Sequence, residues 1–391
     1  LSQLIDAGDD EPQAIVVTPG RELALQSATV LKNMGSGLRA MACYGGRATM
    51  DEHRVMKQVR PQIVFGTPGR LNDHLDKGNL NRYHIRYLVI DEFDKCLEMG
   101  FQDEMSRLVK SLPGLRRHFL LSATEAEEIP RFVHMGRVEK IDYRMDEEQV
   151  PERVHIYKVE SPVKDKLESL GMLLRSLGDQ STIVFLNYRD SVERTNKYLV
   201  EQGFSTSFFH GGLEQKEREA SLYRFSNGSA NILVSTDLAS RGLDIPDIDN
   251  IIHYHMPESE DGYIHRVGRT ARWEAQGRAF FLLGPEEHIP DYVDAEVEDY
   301  EIPAVEELPM PAKPKMATLY IGKGKKDKIS KGDILGFLCK KGGLNSSEIG
   351  KIDVNDRYAY AAIARPKLRS VLNNVKGEKI KGVKTIVEEV R

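Results

Sequence analysis

The sequence predicts an α/β protein with two domains built on parallel sheets and a small α+β domain at the carboxyl end. Short apolar runs, typical of buried strands, alternate with longer segments that have the apolar spacing of helices. This alternation favours parallel sheets, and 391 residues with a hydrophobic fraction of 40% suffice for two or three packed domains. The carboxyl end differs from the rest in its charge and in the order of its predicted elements.

The first predicted domain spans residues 1–145, and a polar linker over 146–155 separates it from a second predicted domain over 156–285. The runs interpreted as strands of the first domain are Ala14–Val17, 63–65, Tyr87–Ile90 and 119–121, with a helix over 21–34. Those of the second domain are 183–186, 207–209, 232–234, 250–252 and 279–283, with helices over 163–177 and 191–202.

Residues 286–315 are predicted to be an acidic linker that contains prolines, because residues 286–307 hold ten acidic residues and no Lys or Arg. The elements predicted for residues 316–391 follow the order strand, helix, two strands, helix, strand. That order is the plan of a domain like the RNA recognition motif (RRM).

The net charge of −5 conceals an uneven distribution along the chain. Residues 312–391 hold 19 Lys and Arg against 8 Asp and Glu, a net of +11, whereas the other residues hold 36 against 52, a net of −16. A basic tail of this kind indicates a nucleic-acid partner. No apolar run approaches the ~18 residues that span a bilayer, so we expect no membrane association. Three distant cysteines form no disulfide framework and no CxxC metal site, so a cytoplasmic location is expected.

Polar residues follow directly after the predicted strands, at the sheet edge where α/β proteins bind ligands. Asp91 and Glu92 follow Tyr87–Ile90 as in a Walker B motif. A strand-end Asp can hold Mg²⁺ through water, and the adjacent Glu can orient or deprotonate the attacking water. Taken alone, two such acids are more often a solvated turn or the start of a helix.

The run from Tyr263 to Arg272 is more specific. Arg269 and Arg272 are three residues apart and would share one face of a helix, where two guanidinium groups could neutralise charge on a phosphoryl group in transfer. The alternative is a basic helix face that pairs with an acidic surface.

Two further segments, Gly45-Gly46 and residues 67–70, offer backbone N–H groups and a guanidinium to phosphates, although either alone would be an ordinary turn. No GxxxxGK[ST] phosphate loop occurs in the sequence. We therefore expect little or no ATP hydrolysis by the 391-residue chain by itself.

Taken together, these motifs resemble those of the DEAD-box RNA helicases, in the family's order across residues 14–283. The matching segments are 18–24 (motif Ia), 45–46 (GG), 67–70 (Ib), 91–94 (the motif that names the family), 122–124 (III), 183–189 (IV), 215–218 (QxxR), 235–244 (V) and 265–272 (VI). The resemblance implies two RecA-like domains that close on ATP and single-stranded RNA, the first of them truncated at its amino end.

The resemblance also implies residue roles. Asp91 would coordinate Mg²⁺ through water, Glu92 would act on the attacking water, Ser122 and Thr124 would couple the domains, and Arg269 and Arg272 would be arginine fingers. The other residues expected at the catalytic and ATP sites are His265, Gly242 and Asp244. Those expected along the RNA backbone are Gly20, Arg21, Gly45, Gly46, Thr67, Gly69, Arg70, Arg189, Gln215, Arg218 and Thr236.

The chain departs from the family pattern in several places. Phe93, Gly20 and Ala271 replace the usual Ala, Thr and Gly. The phosphate loop and the adenine-reading Q motif are missing. Since the chain begins at Leu1, within what resembles the end of a helix before motif Ia, truncation is the simpler explanation.

Within residues 316–391, the tail carries the segments 318–322, 324–326, 332–336, 348–352 and 379–382. Together they resemble the carboxy-terminal domain of DbpA-type bacterial helicases, which implies binding to a hairpin of large-subunit ribosomal RNA and action on pre-ribosomal particles. Five lysines within nine residues suit RNA phosphates, although such a run can also be a solvated loop: Lys323, Lys325, Lys326, Lys328 and Lys331. Tyr358 and Tyr360 share one face of a predicted strand. They could stack on bases, or equally pack in the core or at an edge.

We therefore predict an RNA helicase that uses ATP and Mg²⁺ to unwind structured RNA locally, with no obligate protein partner. One alternative is a catalytically inactive RNA-binding clamp that lacks the phosphate loop. Another is a DNA-directed helicase of the same superfamily.

Overall fold

A computed structural model gives the fold for residues 1–46, 49–122, 139–141, 154–239, 248–270 and 276–390. The chain divides into two compact units, which we describe separately. The first unit holds one sheet domain, and the second unit holds another sheet domain together with the tail domain. None of the described helices has both the length and the apolar character needed to cross a bilayer.

The first domain has a five-stranded parallel sheet in the order β2-β3-β1-β4-β5. The strands are β1 (Ala14–Val17), β2 (Ala40–Cys43), β3 (Ile63–Gly66), β4 (Tyr87–Ile90) and β5 (Arg117–Leu120). The helices are α1 (Arg21–Asn33), α2 (Thr49–Val59), α3 (Pro68–Asp76), α4 (Phe93–Glu98) and α5 (Gln102–Lys110). Ile15 and Val17 enter one hydrophobic cluster, and Ala14 and Val16 enter another. Because alternate side chains point to opposite faces, the continuous apolar run of β1 reflects a sheet that is covered on both faces.

The second domain has a seven-stranded parallel sheet in the order β12-β6-β11-β10-β7-β9-β8. Its strands are β6 (Val154–Glu160), β7 (Thr182–Phe185), β8 (Thr206–Phe209), β9 (Ile232–Ser235), β10 (Asn250–His253), β11 (Gly277–Leu283) and β12 (Val297–Asp299). Its helices are α6 (Leu167–Leu177), α7 (Arg189–Glu201), α8 (Gln215–Ser226) and α9 (Glu260–Val267).

The acidic segment over 286–315 lies against the second domain rather than spanning free solvent. Its strand β12 pairs with β6, and the Tyr300 ring packs edge-on against Phe280 with the ring centroids 5.2 Å apart. Arg175 of α6 donates to the backbone oxygens of Leu308 and Pro309 at 2.6 and 2.7 Å. The segment is extended as expected, but it adds an edge strand because Tyr300 supplies apolar contact area within the acidic sequence.

The tail has the predicted strand and helix order. Its elements are β13 (Met316–Ile321), α10 (Lys331–Lys340), β14 (Ile349–Val354), β15 (Ala359–Ala364), α11 (Leu368–Asn374), a short hairpin of β16 (Lys379–Ile380) and β17 (Val383–Lys384), and β18 (Val387–Glu389). The four main strands form an antiparallel sheet in the order β14-β15-β13-β18. The predicted fold class is thereby confirmed: two parallel-sheet domains followed by a small α+β domain.

Candidate active site and RNA interface

The predicted site residues of the first domain lie at the carboxyl edge of its sheet. Backbone pairing continues past the strand ends, with Thr18 N bonded to Gly66 O, Asp91 N to Val17 O and Leu121 N to Ile90 O, each at 2.9 Å. This register holds the segments after β1, β3, β4 and β5 in one row.

The Arg21 side chain lies against the Gly45-Gly46 pair. A Cβ atom added to Gly46 would lie only 2.9 Å from Arg21 Nη1, and Gly46 has φ +91°, a conformation that favours glycine. The pair therefore lets a guanidinium approach the backbone closely. Arg21 and both glycines, expected to contact RNA, occur together at this edge.

Glu52 of α2 lies beneath this edge and was not singled out by the sequence. It is 4% exposed, and its Oε1 accepts from Tyr44 N at 3.1 Å while its Oε2 accepts from His74 Nε2 at 2.8 Å. Asn79 Nδ2 lies 3.1 Å from His74 Nδ1, which leaves Nε2 as the donor to Glu52. This buried carboxylate fixes the backbone immediately before Gly45.

The Arg70 guanidinium is turned inward. Its Nε lies 3.6 Å from Glu52 Oε2, and its Nη1 donates to Thr49 Oγ1 at 2.5 Å. Thr49 Oγ1 in turn donates to Asp73 Oδ2 at 2.5 Å, and hydrogen bonds from Lys77 and Thr49 lower the pKa of Asp73. With only 10% of its side chain exposed, Arg70 holds the interior of this edge together. Its expected contact with RNA stays a prediction.

Asp91 and Glu92 occupy the turn between β4 and α4. Burial raises the pKa of Asp91, with Asp94 acting in the same direction, although the Glu92 N–H, 3.1 Å from Asp91 Oδ1, lowers it. Glu92 has φ +47° and ψ +55°, a left-handed conformation that costs free energy in a non-glycine residue and is found at functional sites. The departure at Phe93 is accommodated in the core, where the ring is 1% exposed.

Of the remaining predicted catalytic and ATP-site residues, some lie within the described part of the chain and others do not. Ser122 is exposed just after β5. Thr124, Gly242, Asp244 and Arg272 lie outside the described residues.

The second domain repeats the glycine and arginine arrangement at its own carboxyl edge. Arg218 Nη2 donates to Gly211 O at 2.8 Å, and a Cβ atom on Gly211 would lie 3.3 Å from Arg189 Nη2. Thr236 begins the adjacent segment, with its N–H bonded to Phe209 O at 3.3 Å. We did not include Gly211 and Gly212 among the expected RNA contacts, although a glycine pair directly after a strand, as at Gly45-Gly46, is the signal that could have identified them.

Arg266 joins three loops of this edge. Its fully buried guanidinium donates to both oxygens of Asp237 at 2.5 and 3.2 Å, to Asn187 Oδ1 at 2.8 Å and to His255 O at 2.8 Å. These partners follow β9, β7 and β10 respectively. Arg266 is therefore the structural centre of the run in which the sequence singled out Arg269 and Arg272.

Helix α9 ends at Val267, so the prediction that Arg269 lies on a helix face is corrected. Gly268 follows as the C-cap, and Ile248 N bonds to Arg269 O at 3.3 Å. Arg269 therefore lies in the segment after the helix, beside a backbone pairing between Ile248 and Thr270. His265 remains on α9, with Nε2 3.1 Å from Asp261 Oδ1.

The lysines predicted to bind RNA are not equivalent. Lys323, Lys326 and Lys331 lie 3.1, 3.8 and 3.7 Å from Asp327, Asp356 and Asp353. Within the described residues, Lys325 and Lys328 are exposed and form no ion pair. Of the five predicted lysines, these two therefore have the charges most accessible to RNA phosphates.

The tyrosines of the tail sheet pack against the second domain. Tyr360 is 2% exposed and its ring stacks on Tyr223 of α8, with centroids 5.1 Å apart. Thr318 Oγ1 donates to Ser229 Oγ at 2.8 Å, and the Tyr358 hydroxyl donates to Glu219. Of the two alternatives for Tyr358 and Tyr360, the structure supports packing.

Comparison with known proteins accounts for all three domains. The DEAD/DEAH box helicase family matches residues 1–132, the helicase conserved C-terminal domain matches 165–274, and the DbpA RNA binding domain matches 318–389. The chain is 35% identical over 394 residues to the ATP-dependent RNA helicase DbpA of Escherichia coli, covering 98% of this chain and 85% of that protein. This chain belongs to the DEAD-box ATP-dependent RNA helicases.

Other relatives agree with this assignment. The helicase is 31% identical to DbpA of Bacillus subtilis over 98% of this chain and 86% of that protein. Among solved structures, S. cerevisiae Dbp5 bound to RNA and ADP BeF3 matches with a TM-score of 0.64 and 25% identity, covering 76% of this chain and 79% of that one. The predicted ATP-dependent RNA helicase is thus supported over the inactive clamp and over a DNA-directed helicase.

Proposed function

We propose that this helicase locally unwinds structured large-subunit ribosomal RNA on pre-ribosomal particles in the cytoplasm, with Mg²⁺ and ATP acting at Asp91 and Glu92. The proposal that ribosomal RNA is the target rests on the similarity of the tail to DbpA proteins. The likeness to DbpA proteins extends over 98% of the chain, and the tail itself matches the DbpA RNA binding domain.

The residues at the end of β4 fit a magnesium ion. Burial and the nearby Asp94 raise the pKa of Asp91, and carboxylate oxygens are the ligands that Mg²⁺ prefers. A bound ion would neutralise charge on the phosphates of ATP. Asp91 would hold the ion, and Glu92, fixed at the start of α4, would orient the attacking water and accept its proton.

The RNA backbone would lie along the carboxyl edges of both sheets. In each domain a glycine pair lets an arginine approach the backbone closely, at Gly45-Gly46 with Arg21 and at Gly211-Gly212 with Arg189. Guanidinium and backbone N–H groups bind phosphates whatever the base sequence. We therefore assign sequence-tolerant binding to the two sheet domains and target choice to the tail.

The test compares two RNAs of equal length and composition, a large-subunit ribosomal hairpin with a single-stranded extension and a scrambled hairpin with the same extension. The helicase is expected to bind the ribosomal hairpin at least about tenfold more tightly at fixed salt, since specific contacts add to the phosphate contacts. Fluorescence anisotropy measures both affinities. Equal affinities would refute the proposed target while leaving the helicase assignment intact.

A further inference from the structure

One face of α8 docks on the tail sheet. Lys216, Glu219 and Tyr223 are spaced three and four residues apart, which places them on one side of the helix. Lys216 Nζ lies 4.8 Å from the centroid of the Tyr320 ring, and Tyr223 stacks on Tyr360. Helix α8 thus packs on the sheet face of the tail.

The neighbouring side of α8 carries Gln215 and Arg218, which we assign to RNA. Gln215 Nε2 donates to Glu219 Oε1 at 3.2 Å. Its other end, the Oε1 atom, is buried and accepts no hydrogen bond among the described residues. Leaving such an acceptor without a donor is unfavourable, so the position favours a ligand that donates a hydrogen bond.

Glu219 connects the two sides. Its Oε2 accepts from the hydroxyl of Tyr358 in the tail, and its Oε1 accepts from Gln215 Nε2. An ionised carboxylate accepts hydrogen bonds and cannot donate them, so it holds the amide nitrogen of Gln215 and turns the carbonyl oxygen away. The orientation of the Gln215 amide is therefore set from the tail.

We propose that Glu219 is a positioning residue through which Tyr358 of the tail orients Gln215 to accept a hydrogen bond from a ribose 2′-hydroxyl. The 2′-hydroxyl is the donor that RNA has and DNA lacks, whereas phosphate oxygens only accept. The proposal rests on the proposed RNA path along the second domain. The docked tail then contributes to the RNA site of the second domain. That contribution is separate from any RNA binding by the tail itself.

The test is a double-mutant cycle in the full chain between Tyr358→Phe and Gln215→Ala. Tyr358→Phe removes one hydroxyl and keeps the ring. The control is Tyr320→Phe, because Tyr320 contacts Tyr358 and Lys216 through its ring. Affinities are measured by anisotropy with oligouridine RNA and with DNA of the same length, after thermal unfolding shows equal stability of the variants.

We expect Tyr358→Phe to weaken RNA binding about threefold and DNA binding by less than about 1.5-fold, with Tyr320→Phe unchanged on both. The penalty of Gln215→Ala should shrink in the Tyr358→Phe background, since coupled residues are not additive. Additive penalties, or equal losses on RNA and DNA, would overturn the inference while RNA binding by the parent chain still stood. If the parent chain bound no RNA, the proposed RNA path would fail first.

Discussion

At the residue scale, buried polar side chains determine how the site is held. Glu52, His74 and Arg70 in the first domain and Arg266 in the second have side chains that are at most 10% exposed. A buried charge is tolerated only when it is paired and hydrogen-bonded, so each of these residues fixes its neighbours in one arrangement. The chemistry-bearing residues nearer the surface depend on these contacts.

Glu52→Ala is expected to weaken RNA binding as well as stability. Removing the carboxylate leaves Tyr44 N and His74 without their acceptor, which we expect to cost about 2–4 kcal/mol in unfolding free energy. The glycine pair then loses its backbone anchor, so the Kd for single-stranded RNA should rise about fivefold, or about 1 kcal/mol. Anisotropy below the unfolding transition gives the Kd.

The matched control for Glu52→Ala is Gln62→Ala. Gln62 is fully buried and makes three hydrogen bonds, to Arg39 N, Ala7 O and Asp9 O, at the opposite end of β3. It should lose a similar amount of stability without a change in RNA affinity. Equal losses of affinity in both variants would show that Glu52 acts only through stability.

Glu92→Gln tests the catalytic assignment. In a form of the helicase whose sequence includes a phosphate loop, this change should lower RNA-stimulated ATP hydrolysis about 10²–10⁴-fold, because an amide cannot accept the proton of the attacking water. A coupled phosphate-release assay measures the rate. Glu98→Gln, at the far end of α4, partly exposed and paired with Lys95, should leave the rate unchanged. An unaltered rate in Glu92→Gln would refute the assignment.

At the element scale, the site follows from where strands end and helices begin. The apolar runs predicted β1, β3, β4 and most strands of the second domain, because a strand covered on both faces must be apolar throughout. They did not predict β2, with the sequence AMAC, or β6, with VHIYKVE. Alanine has little strand preference, and β6 alternates polar with apolar residues. These strands form only because neighbours pair with them.

Arg266→Lys is expected to loosen the three loops that follow β7, β9 and β10. Lysine cannot reproduce the two-pronged contact with Asp237 or reach Asn187 and His255 together, so the second unit should lose about 2–4 kcal/mol in unfolding free energy. Urea unfolding measures this loss. Arg194→Lys, which alters an exposed pair with Asp165, should change stability by less than about 0.5 kcal/mol. Similar losses of stability in the two variants would argue against the role of Arg266 in joining these loops.

At the scale of the whole molecule, different parts of the tail supply charge for RNA binding and contacts to α8. The tail holds a net +11 within residues 312–391, and its exposed Lys325 and Lys328 follow β13, whereas Tyr360 packs on Tyr223 of α8. Deleting the tail would also uncover Tyr223, which is 5% exposed with the tail in place. Substitution of surface lysines is therefore a cleaner test of the tail than deletion.

Lys325→Glu should lower both the RNA affinity and its dependence on salt. Losing one phosphate contact reduces the slope of log K against log salt by about 0.7–0.9. Titrations at several salt concentrations with the ribosomal hairpin measure that slope. Lys197→Glu, an equal charge change on exposed α7, is the control and should leave the slope unchanged. Equal slopes in both variants would remove Lys325 from the RNA surface.

The sequence alone determined the fold class, the order of the three domains and the family, because these depend on local periodicity and on motifs read along the chain. The tertiary structure alone decided that Arg70 turns inward, that Glu52 and Arg266 anchor the two edges, that α9 ends before Arg269, and that the acidic segment packs on the second domain. It also decided that the tail tyrosines pack against α8, where the sequence had left stacking on bases as an alternative. Each of these depends on residues that are far apart in sequence and meet when the sheets form. Neither local spacing nor composition specifies which of these distant residues come into contact.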